Sequence, residues 1–229
     1  MESKNVLVLG GASPSSIGEA ICYRLGYLGH SVSSPTAEYL NVLDEESGHM
    51  LEAITDCQPD AVVYSVGVNE LEWSWALTRE SFDRIMSTNV WGFINVLKAL
   101  QTTGNSYSVL AITSDAARRP MRTSMAYCAS KAALDQVIRV ASRELAMEGW
   151  RINGLAPGKV EGTAMTRYVD ERVLQIRGWT KERAEEYELQ SSPIRRKLWT
   201  TEIAAAACDI LLSDSIAWTG DIITVNGGR

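Results

Sequence analysis

The chain has 229 residues, 45% of them hydrophobic, and a formal net charge of −6, so it is long enough and apolar enough to bury the core of a single domain over 1–229. The acidic balance argues against nucleic acid as the main partner, because nucleic-acid binding depends on clustered Lys and Arg. No stretch approaches the ~20 apolar residues of a membrane span, and the amino terminus enters a predicted strand without a signal-peptide pattern. We therefore expect a cytoplasmic protein with no membrane contact.

Strands and helices alternate along the chain, which is typical of an α/β protein with a doubly wound parallel sheet. The β-rich runs predict seven strands, near 5–9, 30–34, 38–42, 60–65, 106–113, 151–156 and 221–226. The remaining periodic segments predict helices near 17–28, 45–57, 79–103, 125–148 and 200–213.

A glycine-rich turn over 10–18 follows the first predicted strand and opens an amphipathic helix. Glycine allows close backbone approach, and the amino end of a helix offers free N–H groups and a positive dipole. A strand, turn and helix in this order therefore predict a site for a pyrophosphate group.

Two polar residues stand out in the middle of the chain. Ser114 follows the apolar run 107–113, at the carboxyl end of a predicted strand, where open α/β sheets bind ligands. Asn89 lies within a predicted helix, a position that is unfavourable for Asn unless its side chain has a partner. Both are candidate site residues.

Tyr127 and Lys131 lie four residues apart in a long apolar helical segment and therefore share a helix face. An ammonium beside a phenol favours the phenolate and lowers a pKa that is normally about 10, which predicts an acid/base catalyst. By itself the pair is also compatible with a solvated or packing contact, since this spacing arises by chance on many helices.

Taken together and in this order, Asn89, Ser114, Tyr127 and Lys131 resemble the catalytic tetrad of the short-chain dehydrogenase/reductase family. The resemblance runs nearly end to end, through the glycine-rich turn and through segments 61–67, 151–163 and 220–228. It implies a Rossmann-like, seven-stranded parallel sheet in one domain.

Several features depart from the family pattern, among them Ser65 and Val66 in segment 61–67 and Thr163, which comes one residue late. Gly10 replaces a threonine, and the turn is one residue longer, with Ser15 or Ser16 where the middle glycine would be. A longer turn also occurs in enoyl-thioester reductases of this superfamily, so coenzyme binding is still expected. The segment 30–42 leaves no room for the helix that the family places between its second and third strands, and this shortened connection predicts an open adenosine end.

The resemblance also implies a role for each member of the tetrad. Ser114 would hold the substrate oxygen, and Tyr127 would give or take the proton. Lys131 would lower the pKa of Tyr127 and bind the nicotinamide ribose, while Asn89 would hold a water that passes protons to Lys131. Residues matching coenzyme-binding positions are Gly11, Ser13, Ser16, Ile17, Ser34, Asn41, Val42, Val66, Gly67, Tyr127, Lys131, Pro157, Gly158, Val160 and Thr163.

The function implied is hydride transfer between NAD(P)(H) and a small-molecule carbonyl or alcohol, with a 3-oxoacyl thioester as one specific substrate class. Two alternatives stay open. A non-catalytic dinucleotide-binding regulatory protein is opposed by the intact Tyr127 and Lys131. An enoyl reductase on the same fold is opposed by Ser114, which enoyl reductases usually replace.

Coenzyme preference depends on the end of the second predicted strand, which reads Ser33-Ser34-Pro35-Thr36. NAD-specific proteins of this kind usually carry Asp or Glu there, and NADP-binding ones carry Arg or Lys. The missing carboxylate and three hydroxyls favour NADP(H) slightly, while Glu38 could supply the acidic role for NAD(H).

The segment 159–199 matches the family's variable substrate lid. Its charges, as in 181–186, predict an exposed helix face anchored by aromatic residues, of which one or two could line a pocket. Arg118, Arg119 and Arg122 precede Tyr127 and could face an anionic substrate, although such a cluster is more often a solvated loop.

The four cysteines show neither metal-ligand nor disulfide spacing, so no metal site is predicted. The helices predicted at 79–103 and 125–148 are apolar on more than one face. In the resembling family these helices pair across a twofold axis, so the resemblance implies a homodimer or homotetramer.

Overall fold

Six parallel strands form one sheet in the computed structural model, which describes residues 2–44 and 48–229. The strands are β1 (Asn5–Leu9), β2 (Ser31–Ser33), β3 (Ala61–Tyr64), β4 (Ser108–Ile112), β5 (Arg151–Pro157) and β6 (Ile222–Val225). They lie in the order β2-β1-β3-β4-β5-β6, and every neighbouring pair is parallel. The predicted α/β class with a doubly wound parallel sheet is confirmed.

Eight α-helices connect the strands within the described residues. They are α1 (Ile17–Tyr27), α2 (His49–Cys57), α3 (Arg79–Met86), α4 (Gly92–Gln101), α5 (Met125–Leu145), α6 (Ala164–Arg177), α7 (Lys181–Ser191) and α8 (Thr200–Leu211). The helix predicted at 79–103 is interrupted by a π-helical turn over Ser87–Trp91. The first residues of the helix predicted at 45–57 lie outside the described ranges.

Alternation along each strand divides the core between the two faces of the sheet. In β1, Val6 and Val8 pack with residues of α1 and α8, whereas Leu7 and Leu9 pack with residues of α2, α4 and α5. All four side chains are at most 2% exposed, as expected for a parallel strand covered by helices on both faces. Burial of this apolar surface stabilises the layers at ~25 cal/mol per Å².

The strand predicted at 38–42 does not form, and these residues adopt turns. Leu40 and Val42 are buried at 5% and 7% exposure, which explains the alternating apolar pattern that suggested a strand. Their backbone groups find partners outside a ladder: the Leu40 amide donates to the Thr36 carbonyl (2.9 Å), and Asn95 Nδ2 donates to the Val42 carbonyl (3.0 Å). Within the described residues the sheet therefore ends at the three-residue strand β2.

The strand order places a topological switch between β1 and β3. From β1 the chain moves outward to β2, and from β3 it moves in the opposite direction to β4. Ligands of open α/β sheets bind in the crevice beyond the carboxyl ends of strands at such a switch. None of the helices in the described ranges combines the length and apolar character needed to cross a bilayer.

Candidate active site

A cavity of about 950 Å³ lies beyond the carboxyl ends of the strands. Most of the residues that the sequence assigned to catalysis or coenzyme binding line it, namely Ser13, Ser16, Ile17, Asn41, Val42, Val66, Gly67, Ser114, Tyr127, Lys131, Pro157, Gly158, Val160 and Thr163. Gly11, Ser34 and Asn89 do not line it. The fold thus brings segments that are far apart in sequence to one site.

Ser114, Tyr127 and Lys131 form one wall of this cavity. Ser114 follows β4, and its Oγ accepts a hydrogen bond from the Ala116 amide (3.1 Å). Tyr127 and Lys131 lie one turn apart on α5 and are 7% and 3% exposed. Lys131 Nζ lies 5.8 Å from the centroid of the Tyr127 ring and donates to the Ile112 carbonyl at 2.9 Å. A hydroxyl, a phenol and an ammonium therefore converge on the cavity, and the phenol and the ammonium are largely buried.

Burial raises the pKa of Tyr127 above its ordinary value, and a hydrogen bond with Ser114 opposes this effect. The sequence predicted the opposite direction, with the Lys131 ammonium lowering this pKa. That prediction is wrong for this structure, because desolvation of the phenolate is the largest influence and the ammonium is held by the Ile112 carbonyl. At neutral pH the Tyr127 hydroxyl is consequently protonated and able to donate.

Burial lowers the pKa of Lys131 to about 8, and the Asp135 carboxylate one turn farther along α5 acts in the opposite direction. Asp135 is 3% exposed and its Oδ2 pairs with Arg118 Nη2 at 3.2 Å. Its Oδ1 has no hydrogen-bond partner among the described residues. Asp135 thus supports the charged form of Lys131 from behind the cavity wall.

Asn89 lies in the π-helical turn and is fully buried. Its Nδ2 donates to the Val68 carbonyl (2.9 Å) and to Ser130 Oγ (2.9 Å), and its Oδ1 accepts from the Val68 amide (2.8 Å). These bonds explain why an Asn is tolerated at a helical position. They give Asn89 a positioning role, while the predicted water-holding role stays a prediction.

Close packing leaves no room for a side chain at the first two glycines of the turn. Gly10 has a φ of 89°, and a Cβ there would lie 2.8 Å from the Ser65 carbonyl carbon. A Cβ at Gly11 would lie 2.5 Å from Cys22 Sγ and 2.7 Å from Ser34 Oγ. Gly10 therefore shapes the cavity floor, whereas Gly11 serves the contact between α1 and the end of β2.

The lengthened part of the turn ends in the cap of α1. Ser15 has a φ of 53°, and its carbonyl accepts from the Ala164 amide (3.0 Å), which joins the turn to the start of α6. Ser16 Oγ accepts from the Glu19 amide (2.9 Å) and so caps α1. Ser16 and Ile17 line the cavity, so the positive end of the helix dipole faces it.

Residues 35–38 and 40–43 line the end of the cavity that follows β2. Of the three hydroxyls noted in the sequence, only that of Thr36 lines the cavity, since Ser34 Oγ donates to the Val8 carbonyl (2.8 Å). Glu38 also lines this end. The shortened connection therefore wraps the site with a turn in place of a strand.

The helices α6 and α7 make up most of the predicted lid. None of the residues of α7 is buried, which agrees with an exposed charged face. Trp179 and Tyr187 stack edge to face, with centroids 5.2 Å apart, and Tyr187 lines the cavity. The expectation that one or two aromatics reach the pocket is confirmed for Tyr187.

Sequence reasoning missed several cavity residues, above all Arg177 and Arg229. Arg177 ends α6, and Arg229 is the last residue of the sequence. Neither belongs to a recognisable motif, because their placement depends on how α6 and the segment after β6 cross the cavity.

The residues of the cavity fit a nicotinamide dinucleotide. A Cβ at Gly67 would lie 3.3 Å from Lys131 Nζ, so glycine at this position keeps the space beside the ammonium open for a flat group. A Cβ at Gly158 would lie 3.0 Å from the Asn226 Cα, so that glycine lets the segment after β6 pack against the end of β5. The volume is at the upper end of the ~300–1,000 Å³ range of ligand pockets.

Residues 40–229 match the family model described as Enoyl-(Acyl carrier protein) reductase. The chain is a short-chain dehydrogenase/reductase. Among curated relatives it is similar to L-xylulose reductase of Caenorhabditis elegans, with 31% identity over 66% of this chain and 58% of that protein. It is also similar to the 3-oxoacyl-acyl-carrier-protein reductase MabA of Mycobacterium tuberculosis, with 26% identity over 99% of this chain and 92% of that protein.

A solved short-chain dehydrogenase family protein from Francisella tularensis superposes with a TM-score of 0.85. The two chains are 25% identical, and the match covers 99% of this chain and 98% of that one. This short-chain dehydrogenase/reductase therefore shares its whole architecture with a known member of the family.

Proposed function

We propose that this short-chain dehydrogenase/reductase is an NAD(P)-dependent oxidoreductase that interconverts a carbonyl and a secondary alcohol. The observation that carries this proposal is the convergence of Ser114, Tyr127 and Lys131 on one cavity wall at the carboxyl ends of the strands. The nicotinamide supplies or accepts the hydride when it is bound.

The protein's own residues supply the proton and the orientation. Ser114 holds the substrate oxygen beside the Tyr127 hydroxyl, since both side chains line the same cavity wall. Because burial keeps Tyr127 protonated at neutral pH, it can donate a proton to the oxygen as hydride reaches the carbon. Lys131 holds positive charge next to the phenolate that remains, which favours reduction of a carbonyl.

Enoyl reduction, suggested by the description of the family model, is the runner-up. Ser114 opposes it, because a hydroxyl that holds an oxygen beside the proton donor suits a carbonyl rather than a carbon–carbon double bond. A regulatory protein without catalysis is opposed by the complete set of proton-transfer groups.

A 3-oxoacyl thioester stays within the proposed substrate range, but Arg151 does not serve as a contact for a carrier protein. Arg151 is 6% exposed, and its guanidinium donates to the Ile210 carbonyl (3.1 Å) and the Leu211 carbonyl (3.0 Å) at the end of α8. The Arg151 guanidinium is therefore occupied by hydrogen bonds within the protein and cannot bind an acidic carrier protein.

NADP(H) remains the slightly favoured coenzyme as a prediction. Fewer hydroxyl groups support this preference than the sequence suggested, because Thr36 lines the cavity and Ser33 and Ser34 do not. Glu38 lines the same end, and a carboxylate bound to the ribose hydroxyls there would favour NAD(H). The missing carboxylate at the end of β2 favours NADP(H), whereas a contact from Glu38 on the following turn would favour NAD(H). Coenzyme choice therefore depends on which of these two effects is larger.

The proposed function is tested by following NADH and NADPH absorbance with a panel of ketones, aldehydes and oxoacyl thioesters. Tyr127→Phe serves as the matched control, because it removes one hydroxyl and little volume. We expect turnover by the wild type and none by the variant. Equal turnover by both proteins would overturn the proposal, and so would reduction of crotonyl thioester but no carbonyl.

A further inference from the structure

Three arginines line the cavity on the side of the catalytic wall. Arg119 and Arg122 belong to the loop that joins Ser114 to Tyr127, and Arg177 comes from the end of α6. The sequence left open whether the loop arginines are solvated or face a substrate. The structure places two of them in the cavity and adds a third from the lid.

Arg177 is the most enclosed of the three. It is partly buried, its Nη2 donates to Thr123 Oγ1 (3.1 Å) and to the Arg122 carbonyl, and its guanidinium carbon lies 5.0 Å from the centroid of the Trp179 ring. Burial lowers its pKa. No carboxylate within 2–44 or 48–229 forms an ion pair with it.

Arg122 is held in a similar way. Its guanidinium carbon lies 5.3 Å from the centroid of the Trp73 ring, and no ion pair joins it to a carboxylate of the described ranges. A planar cation stacked on an aromatic ring keeps its N–H groups at the edge free to bind a ligand. Arg122 is exposed, whereas Arg177 uses its Nε and Nη2 in hydrogen bonds to Thr123 Oγ1 and the Arg122 carbonyl, and its Nη1 donates no hydrogen bond to the described residues. Both guanidinium groups border the cavity.

The carboxylates of the cavity balance this side only in part. Glu188 raises the pKa of Arg177 against the larger effect of burial, but it is also shared by Arg229 (3.1 Å) and Lys159 (3.3 Å). Asp115 accepts a hydrogen bond from Asn226 Nδ2 (3.1 Å). Glu38 belongs to the segment at the opposite, β2 end. Although the whole chain has a formal net charge of −6, Arg119, Arg122 and Arg177 bring three positive charges to this part of the cavity.

Resting on the proposed function, we propose that the substrate is an anionic carbonyl compound or the corresponding alcohol, whose carboxylate or phosphate binds Arg177 and Arg122. The fork of N–H groups on a guanidinium matches a carboxylate or phosphate in geometry and charge. The anionic group takes no part in the reaction: hydride goes to the carbonyl carbon and the Tyr127 proton to the oxygen. The arginines fix which carbonyl carbon faces the nicotinamide.

The test uses matched pairs of carbonyl compounds that differ in charge: acetoacetate against methyl acetoacetate, pyruvate against ethyl pyruvate, and dihydroxyacetone phosphate against dihydroxyacetone. We expect the anionic member of at least one pair to have the larger kcat/KM by about 10- to 100-fold, the range that charge-assisted hydrogen bonds give. The pair with the largest ratio separates a carboxylate from a phosphate. Better turnover of every neutral member would overturn the proposal and leave the proposed function standing.

Arg177→Gln then assigns the selectivity to this residue. Loss of the Arg177 bonds to the 122–123 loop would lower turnover of both members of a pair, whereas loss of the charge lowers only that of the anionic member. The expected result is a fall of about tenfold or more in the anionic-to-neutral ratio. Arg183→Gln is the matched control, because Arg183 stacks on the same Trp179 ring at 5.0 Å and does not line the cavity. An unchanged ratio in Arg177→Gln, with weaker NADH binding instead, would assign Arg177 to the coenzyme and overturn the proposal.

A binding measurement keeps the test independent of turnover. Malonate and malonamide have the same shape and differ in charge, and calorimetric titration into the protein with saturating oxidised coenzyme compares them. We expect malonate to bind more tightly than malonamide in the wild type and in Arg183→Gln, and the difference to disappear in Arg177→Gln. Equal binding of malonate and malonamide by the wild type would contradict the proposal. Failure to reduce any carbonyl compound would by itself count only against the proposed function, so the two failures can be told apart.

Discussion

Asn89 Nδ2 donates a hydrogen bond to Ser130 Oγ at 2.9 Å, and Ser130 Oγ in turn donates to the Tyr127 carbonyl at 2.8 Å. The π-helical turn is thereby fastened to the turn of α5 that carries Tyr127 and Lys131. Such local π-helical geometry is frequent at functional sites. Here the π-helical turn directs the buried Asn89 amide toward α5, the helix that carries the Tyr127 phenol.

Asn89→Ala should lower the free energy of unfolding by about 2–4 kcal/mol, because three hydrogen bonds are lost and the Val68 amide and carbonyl are left without partners. Urea denaturation followed by circular dichroism measures the change. Asn105→Ala, at an exposed position, is the control and should stay within about 0.5 kcal/mol of the wild type. Equal stability of Asn89→Ala and Asn105→Ala would contradict the positioning role.

Lys131→Ala should weaken coenzyme binding as well as turnover, whereas Tyr127→Phe should abolish turnover and leave coenzyme binding nearly intact. The difference follows from position: the ammonium lies beside the open face of Gly67, where the nicotinamide ribose is expected, while the phenol faces the substrate oxygen. Fluorescence titration of the reduced coenzyme with both variants measures it. Unchanged coenzyme affinity in Lys131→Ala would remove the second role of this residue.

Asp135→Asn should move the basic limb of the pH profile of kcat/KM to lower pH. Lys131 has a pKa of about 8, lowered by burial and raised by Asp135. Activity that requires the ammonium is therefore present below this pKa and lost as the pH rises through it. Removing the carboxylate lowers the pKa of Lys131 further, and Arg118, which then lacks its partner, acts in the same direction.

The pH profile of Glu144→Gln provides the comparison, since Glu144 is exposed on the same helix. Its basic limb should coincide with that of the wild type. A limb of Asp135→Asn at or above the wild-type position would show that Asp135 does not support the charge on Lys131.

The sequence predicted the sheet and the catalytic wall because both follow local rules. Continuous apolar runs locate β1 and β4 to within about two residues, and Ser114, Tyr127 and Lys131 follow from a strand end and a helical spacing. The strand at 38–42 was predicted wrongly because burial of Leu40 and Val42 imitates strand alternation. Whether alternation becomes a strand depends on a neighbour with free ladder groups, which is a tertiary property.

The raised pKa of Tyr127 and the placement of Arg177 could not be predicted from the sequence, because they too depend on tertiary structure. Spacing shows that Tyr127 and Lys131 share a helix face, but desolvation depends on every element that covers them. Arg177 lies 50 residues from Tyr127 along the chain and reaches the site only through the path of α6. The sequence around a lid residue gives little indication that its side chain reaches the site.

Assembly through the helices at 79–103 and 125–148 stays a prediction. Trp91 at the end of the π-helical turn and Val140 on α5 are 46% and 53% exposed, and exposed apolar side chains on neighbouring helices suit a contact between copies of the chain. Light scattering at micromolar concentration should give a multiple of 25.2 kDa. Val140→Glu should reduce this mass, and Tyr27→Glu, on the exposed face of α1, should not. A 25.2 kDa wild-type species contradicts the prediction.

Coenzyme preference is decided at the turn after β2. NADPH should bind modestly more tightly than NADH, because β2 ends without the carboxylate that would repel a 2′-phosphate and Thr36 lines this end of the cavity. Fluorescence titration of both reduced coenzymes at one ionic strength measures the ratio of their dissociation constants. Glu38→Gln removes the charged side chain that this turn presents to the cavity, so it should strengthen NADPH binding and leave NADH binding nearly unchanged. Glu185→Gln, on the exposed α7, is the control. Tighter NADH binding by the wild type, weakened in Glu38→Gln, would reverse the preference and assign the ribose hydroxyls to Glu38.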